Sequence, residues 1–464
     1  MSLPTKITVI GAGSASFGEN TLSAIVRSKK LCGSTLALVD KNVDSLDIVS
    51  RLADRLNREW DAQFTITSHT DHRDALPGTQ FVVNAIEVGA RENLWQKDFE
   101  IPIKYGVRQP YAENGGPGGF AHAARNIGPI MQIAHDMEQA CPEAWFVNFT
   151  NPMVRICDAV NRHSTIKAVG LCHQIYAGYI MVGVALARDL GIEVPEELTG
   201  LHAAVDQFAA QWRVRQQILP LVEIRAAGLN HFTWILSIHD KRTGEDLYPL
   251  FKKRFFELAP SFEPLTRDVF SAFELCPVPG DTHLCEYLPW VSDAQTRPWD
   301  KYNIRLYDWD VMSALRDFGL DHLNEMAGGN QTIDHLSDTD SEGALEMIEN
   351  QVCATTHYHL AANLPNSGQI SNLPLKATVE TPVIVDGAGI HPVHVGALPE
   401  AVAELCRRET VVAQFCVDAA VEGSREKALQ CLLLDPVITD IETAKNILDD
   451  YLTSYKEYLP QFWQ

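Results

Sequence analysis

The chain has 464 residues, of which 46% are hydrophobic and 21% charged, enough apolar material for a sizeable core spread over two or three domains. Its formal net charge of -22 argues against partners such as nucleic acid or an anionic membrane, whose phosphates need clustered Lys and Arg. The ten cysteines are scattered, residues 1–6 lack an apolar leader core, and no run of about 18 apolar residues suggests a membrane span, so the expectation is a freely diffusing cytoplasmic protein with reduced thiols.

Lys6–Ile10 reads as a short apolar strand that runs into Gly11-Ala12-Gly13-Ser14. A helical stretch, Glu19–Ser28, and a second strand, Thr35–Val39, follow, the latter closing with Asp40. This is a dinucleotide-binding βαβ pattern. Gly11 and Gly13 permit a tight turn and close approach of a pyrophosphate, with Ser14 and Ala15 completing the loop ahead of a helix N-terminus. Ser16 stands where the usual third glycine would be. Asp40 is placed to accept hydrogen bonds from a ribose diol and to repel a 2′-phosphate, which selects NAD over NADP.

Three more strand-like runs fit the same sheet: Gln80–Ala85 before Glu87, Ala144–Asn148, and Lys167–Leu171, which ends at Cys172. Ligands bind at the carboxyl rim of such sheets, so Cys172 is expected at an active edge. Residues 221–227 and 230–238 read as further strands, and 310–360, 399–433 and 440–458 as acidic helical regions. The expected fold is α/β, a Rossmann-like doubly wound sheet over residues 1–195 with an intimately packed α+β part over 196–464, as in lactate and malate dehydrogenases. The first part would bind NAD, and the second would carry substrate, metal and subunit contacts.

Cys172 and His231 can supply a soft and a borderline ligand to one divalent ion. The alternative is a small buried hydrophobe and a core histidine.

Six blocks in order then make a more specific pattern. They are Gly11–Ser14, Glu113-Asn114-Gly115-Gly116-Pro117-Gly118-Gly119, Asn148–Met153, Gly170-Leu171-Cys172-His173, Gly228–Trp234 and Asn363–Pro374. With them the chain resembles glycoside hydrolase family 4, the NAD- and metal-dependent glycosidases that stand outside the two-carboxylate rule. The resemblance implies Mn2+ on Cys172 and His231, and His173 after the metal cysteine points to unphosphorylated sugars. The block Val278–Pro289 looks most like the α-galacturonidase branch, beside α-galactosidases and α-glucosidases.

In such an enzyme, oxidation at C3 makes the C2 proton acidic. A base removes that proton, the C1 substituent leaves, water adds and the hydride returns. Asp281 is the expected base and Tyr287 the alternative, although Asp281 could equally order its turn. His173 would assist at the sugar or orient a neighbour, and Glu113 would act as acid or sugar ligand. Arg91 and Asn151 would contact the sugar, with a surface arginine and a helix cap as the plainer readings. Glu87 and Asn148 would line the nicotinamide pocket, though Asn148 could simply end its strand. Asn366 and Asn372 are expected to order their loop. The partner is thus a small glycoside or oligosaccharide, and a homodimer or homotetramer is implied. The rival readings are an NAD-dependent 2-hydroxy acid or sugar dehydrogenase, and a non-catalytic NAD sensor.

Overall fold

The computed structural model describes the chain except residues 1–2, 15–16, 90, 110, 196–197, 199–204, 294 and 305–306. The expected loop residue Ala15 therefore lies outside the described residues.

One mixed sheet organises the molecule. Its first six strands are β1 (Lys6–Ile10), β2 (Thr35–Val39), β3 (Thr65–His69), β4 (Phe81–Asn84), β5 (Trp145–Asn148) and β6 (Lys167–Gly170). They pair in parallel in the order 3-2-1-4-5-6, the doubly wound order of dinucleotide-binding folds. Buried apolar residues run almost continuously along β1, β2 and β4, as strands covered on both faces require. Alternate residues serve opposite faces. Val82 and Phe146 join a core with Phe120, Met131 and Val417, while Val83 and Val147 join one with Val49, Leu52 and Met347.

The sheet does not stop at β6. The later strands are β7 (Val222–Leu229), β8 (Phe232–Asp240), β9 (Cys276–Pro277), β10 (His357–Pro365), β11 (Thr378–Asp386) and β12 (Gly389–Pro392). They continue it in antiparallel fashion as 6-10-11-7-8-9, with β12 beside β11. Two seams are narrow: β10 meets β6 through the pair Asn363 and Gly170, and β11 meets β7 through Glu380 and Gly228. Long helices over 116–140, 400–422 and 441–454 cover one face. Helices over 43–59, 309–328 and 344–352 cover the other.

The expected helix at 19–28 is a π-helical turn, Phe17–Thr21, leading into a helix over Leu22–Arg27. No helix among the described residues is long and apolar enough to cross a membrane.

Candidate active site

The glycine loop leaves β1 as the sequence requires. Gly11 has φ +86°, and an added Cβ would lie 2.6 Å from the carbonyl of Ala85, so the loop crosses directly over the end of β4. Asp40 stands beside it, accepting from the amides of Gly13 and Asn42 at 2.8 Å each. Ser14 N donates back to Gly11 O at 3.2 Å, closing the turn.

Glu87 follows β4 and takes hydrogen bonds from His122 Nε2, at 3.1 and 3.2 Å, and from Asn126 at 3.0 Å. Burial opposes its ionisation, but His122, with Arg91 and Asn126, holds its carboxyl down at about 2. Asn148 ends β5 with its amide wholly engaged: it accepts from Asn84 at 2.9 Å and donates to Thr150 O and Met153 Sδ. That knits two strand ends together.

Cys172 lies two residues past β6, and His231 lies in the turn between β7 and β8. Leu229 pairs with Phe232, so Asn230-His231 is a two-residue turn. His231 has φ +62°, a left-handed conformation that histidine visits more readily than most side chains, at a cost of order 1 kcal/mol. The ring is buried, and its Nε2 lies 3.5 Å from Cys172 Sγ. Burial, with His283 and His173 nearby, keeps His231 neutral, well below the usual imidazole range. Burial pushes the Cys172 thiol up, and Glu342 and Glu380 add to the effect.

The other edge of the His231 ring faces a polar group. Nδ1 lies 2.7 Å from Asn114 Nδ2 and 3.9 Å from Glu113 Oε2. Glu113 is buried and receives Arg91, Asn151 and Asn114 at 3.0–3.1 Å. His283 lies against His231, with ring centres 4.1 Å apart and planes tilted by 44°, and its Nδ1 lies 3.1 Å from Glu286 Oε1. Ligand atoms of Glu113, His231, His283 and Glu286 all fall within 4.8 Å of one another. The backbone places them: Glu286 Oε2 accepts from the successive amides of Glu113, Asn114 and Gly115 at 2.6–3.1 Å. Gly115 packs so closely on residue 286 that a Cβ would meet its carbonyl at 2.6 Å. Two buried acceptors here, Asn151 Oδ1 and Asn230 Oδ1, have no partner among the described residues.

The structure thus brings Cys172, His231, Glu113, Asn151 and Arg91 together. His173 is at the exposed mouth, 3.0 Å from Glu342, whose charge raises its pKa. Asp281 is placed otherwise than expected. Its two oxygens accept from Leu265 N and Thr266 N at 2.9 and 2.7 Å, at the start of the helix Pro264–Phe273, and its own amide donates to Glu263. Tyr287 is also turned away: it is buried, stacks on Phe232 and reaches Asn230 O at 3.4 Å. Burial, with Glu286 next, carries its hydroxyl well above the usual tyrosine range. His283 and Glu286 were missed although they lie within the block 278–289. The signal was there, in a histidine two residues beyond Asp281. Asn366 orders its loop as expected, donating to the carbonyls of Ile370, Leu373 and Pro374, and Asn372 exchanges two hydrogen bonds with Leu398.

A doubly wound dinucleotide fold carrying a cysteine–histidine pair and a glycine-rich second loop defines a narrow class of enzymes. The family 4 glycosyl hydrolase model matches residues 6–206, and the model of that family's C-terminal domain matches residues 226–438. An alpha-galactosidase of Bacillus subtilis is 30% identical over 477 residues, covering 98% of this chain and 99% of its own. An alpha-glucosidase of Erwinia rhapontici is 29% identical over 497 residues, with 98% and 99% covered. A 6-phospho-alpha-glucosidase from gut microorganisms, solved in complex with NAD and Mn2+, superposes with a TM-score of 0.77 at 20% identity, over 99% of both chains. The chain belongs to glycoside hydrolase family 4 and is a glycosidase. The dehydrogenase and sensor readings fall with that assignment.

Proposed function

We propose that the protein hydrolyses α-glycosides of unphosphorylated hexoses, with NAD and a divalent ion such as Mn2+. The single observation that carries this reading is the Cys172–His231 pair, 3.5 Å apart beside the buried Glu113 and the unpartnered Asn151 Oδ1. Bound NAD would supply a reversible hydride acceptor for C3, and the ion a Lewis acid for the neighbouring oxygens.

The residues fit both groups. Gly11–Ser14 and Asp40 would form a dinucleotide cradle, and the Cys172 thiolate and neutral His231 imidazole would hold the divalent ion, with oxygen donors from Glu113 or the sugar completing a set that a harder ion such as Mn2+ accepts. His231 Nδ1 accepts from Asn114 Nδ2 at 2.7 Å, so a ligating Nε2 would need the Asn114 amide turned to present its oxygen to Nδ1–H. Asn151 and Asn230 offer their free carbonyl oxygens to sugar hydroxyls. In this reading residues 1–195 bind the dinucleotide and supply Cys172, Glu113, Arg91 and Asn151, and residues 196–464 supply Asn230, His231 and the turn 280–286.

The base at C2 comes from the short turn 280–286. His283 gives Nδ1 to Glu286, which leaves Nε2 as the free proton acceptor, the orientation a carboxylate–histidine pair confers. Asp281 would take that role only if the amides of Leu265 and Thr266 released it. The substrate is a neutral sugar in preference to a uronide. The cleft presents Glu113, Glu286 and Glu342, while Arg91 is already paired with Glu113 and Arg215 with Asp340.

A panel of p-nitrophenyl α-galactoside, α-glucoside and α-galacturonide, with NAD, Mn2+ and a reductant, tests the substrate class. Turnover in D2O tests the chemistry. Deuterium at C2 of the released sugar is the expected result, and a C2 proton retained at full rate overturns the elimination route.

A further inference from the structure

A second group of ligand-type side chains lies outside this site. Glu19 sits on the π-helical turn Phe17–Thr21, just after the glycine loop. His322 is on the helix Trp309–Gly328, and His335 is on the 3-10 turn Asp334–Asp338. One ligand atom from each lies within 4.8 Å of the other two. His335 Nε2 is 3.7 Å from Glu19 Oε1, too far for a hydrogen bond, and the two imidazole centres are 6.0 Å apart. Three donors thus converge without satisfying one another.

Their supports are packed against the core. Leu323 and Met326 bury the helix beside His322, and Ile333 and Leu336 bury the turn beside His335. Thr339 ties that turn to the first by accepting from Arg27 Nη1 at 3.0 Å and donating to Asn20 O at 3.3 Å. A tetrahedral ion with bonds of about 2.1 Å spaces its ligands about 3.4 Å apart. Glu19 and His322 are half-buried and His335 is exposed, so reaching that spacing calls for side-chain rotation.

We propose that Glu19, His322 and His335 form a second divalent-metal site, taking Zn2+ through two imidazoles and one carboxylate. Two histidines and one carboxylate, with an open fourth position on the solvent side, suit Zn2+ better than Mg2+ or Ca2+, which favour all-oxygen sets. The ion would clip the segment 334–338 to the turn that follows the glycine loop.

The test uses the full chain carrying Cys172→Ser, so that the first site is weakened. Zn2+ alone is titrated by equilibrium dialysis and by thermal melting. One Zn2+ per chain and a rise in Tm are expected. His335→Ala and His322→Asn should each weaken binding at least 10-fold and remove the rise, and Glu19→Gln should weaken it less. Hydrogen exchange at 17–21 and 334–338 should slow on adding Zn2+ only when all three side chains are present. No Zn2+ bound by the Cys172→Ser chain, or a Tm rise undiminished in the folded His335→Ala protein, overturns the site.

Discussion

Two buried charged groups lie on neighbouring parts of this molecule, and they are built differently. Arg125 and Asp98 are 1% and 0% exposed and meet in two parallel hydrogen bonds of 2.7 and 2.6 Å. Tyr455 donates to the same carboxylate at 2.7 Å, and its ring lies under the guanidinium at 4.6 Å. Among the described residues, Arg125 Nε is the atom of this group without a partner. The group around His231 is also buried, yet it holds a strained histidine, two unpartnered amide oxygens and a thiol facing an imidazole. The first arrangement has spent its hydrogen-bonding capacity on itself. The second has kept some back, which is what a ligand site needs.

The comparison predicts opposite signatures for the two groups. Cys172→Ser or His231→Ala should lower kcat/KM by at least about 10³-fold while Tm stays within a few degrees, since little packing is lost; retained activity in excess EDTA would break the contrast. Arg125→Met should do the reverse. Leaving Asp98 buried and unpaired costs about 3–5 kcal/mol, read as a fall in urea midpoint with near-normal activity per folded molecule. His283→Gln should slow C2 exchange about 10²-fold or more, whereas Asp281→Asn should chiefly loosen the helix start at 264 and lower Tm. The opposite pattern would return the base role to Asp281.

A smaller effect concerns the cavity behind the site, lined by Asn114, Asn230, Arg155 and Glu409. Burial, with Asp435 next, pushes Glu409 up to about 8, and burial raises Asp435 to about 6. A carboxyl whose pKa is raised on folding stabilises the fold fully below its unfolded value, near 4.5. That contribution is lost as pH rises through about 8. Glu409→Gln should therefore gain stability relative to the unaltered protein as pH goes from 5 to 9, measured by melting at each pH. Smaller still, Asp40→Ala should narrow an NAD-over-NADP preference several-fold by calorimetry.

The sequence made the first half of the site legible for a physical reason. In Lys6–Asp40 the strand period, the glycines and the terminal carboxylate are local features, and each is where the pattern puts it. Cys172 was legible too, because the end of a parallel strand is itself a location. The turn 280–286 was not. It follows a two-residue strand, so no period tells which side chain faces the cleft, and resemblance alone drew attention to Asp281 and Tyr287. The geometry instead turns His283 and Glu286 inward, through Glu286's hold on three amides over 100 residues away in sequence.

The narrow seam between β6 and β10 has a consequence for recombination within the family. Gly170 is the pairing partner of Asn363, and a Cβ there would lie 2.7 Å from Cys157 Sγ and closer still to Met153. The residue that joins the two parts of the sheet is therefore also wedged against the helix Met153–His163. A chimera that exchanges everything after residue 210 with a relative of different sugar preference imports a new partner for Gly170 while keeping the old wedge. Such swaps should fold when the donor supplies an asparagine at the position of Asn363 and a carboxylate at that of Glu380, which that asparagine and Asn230 share. Such a swap would move Asn230, His231 and the turn 280–286 as one cassette, while Arg91, Glu113, Asn151 and His173 stay with the dinucleotide cradle.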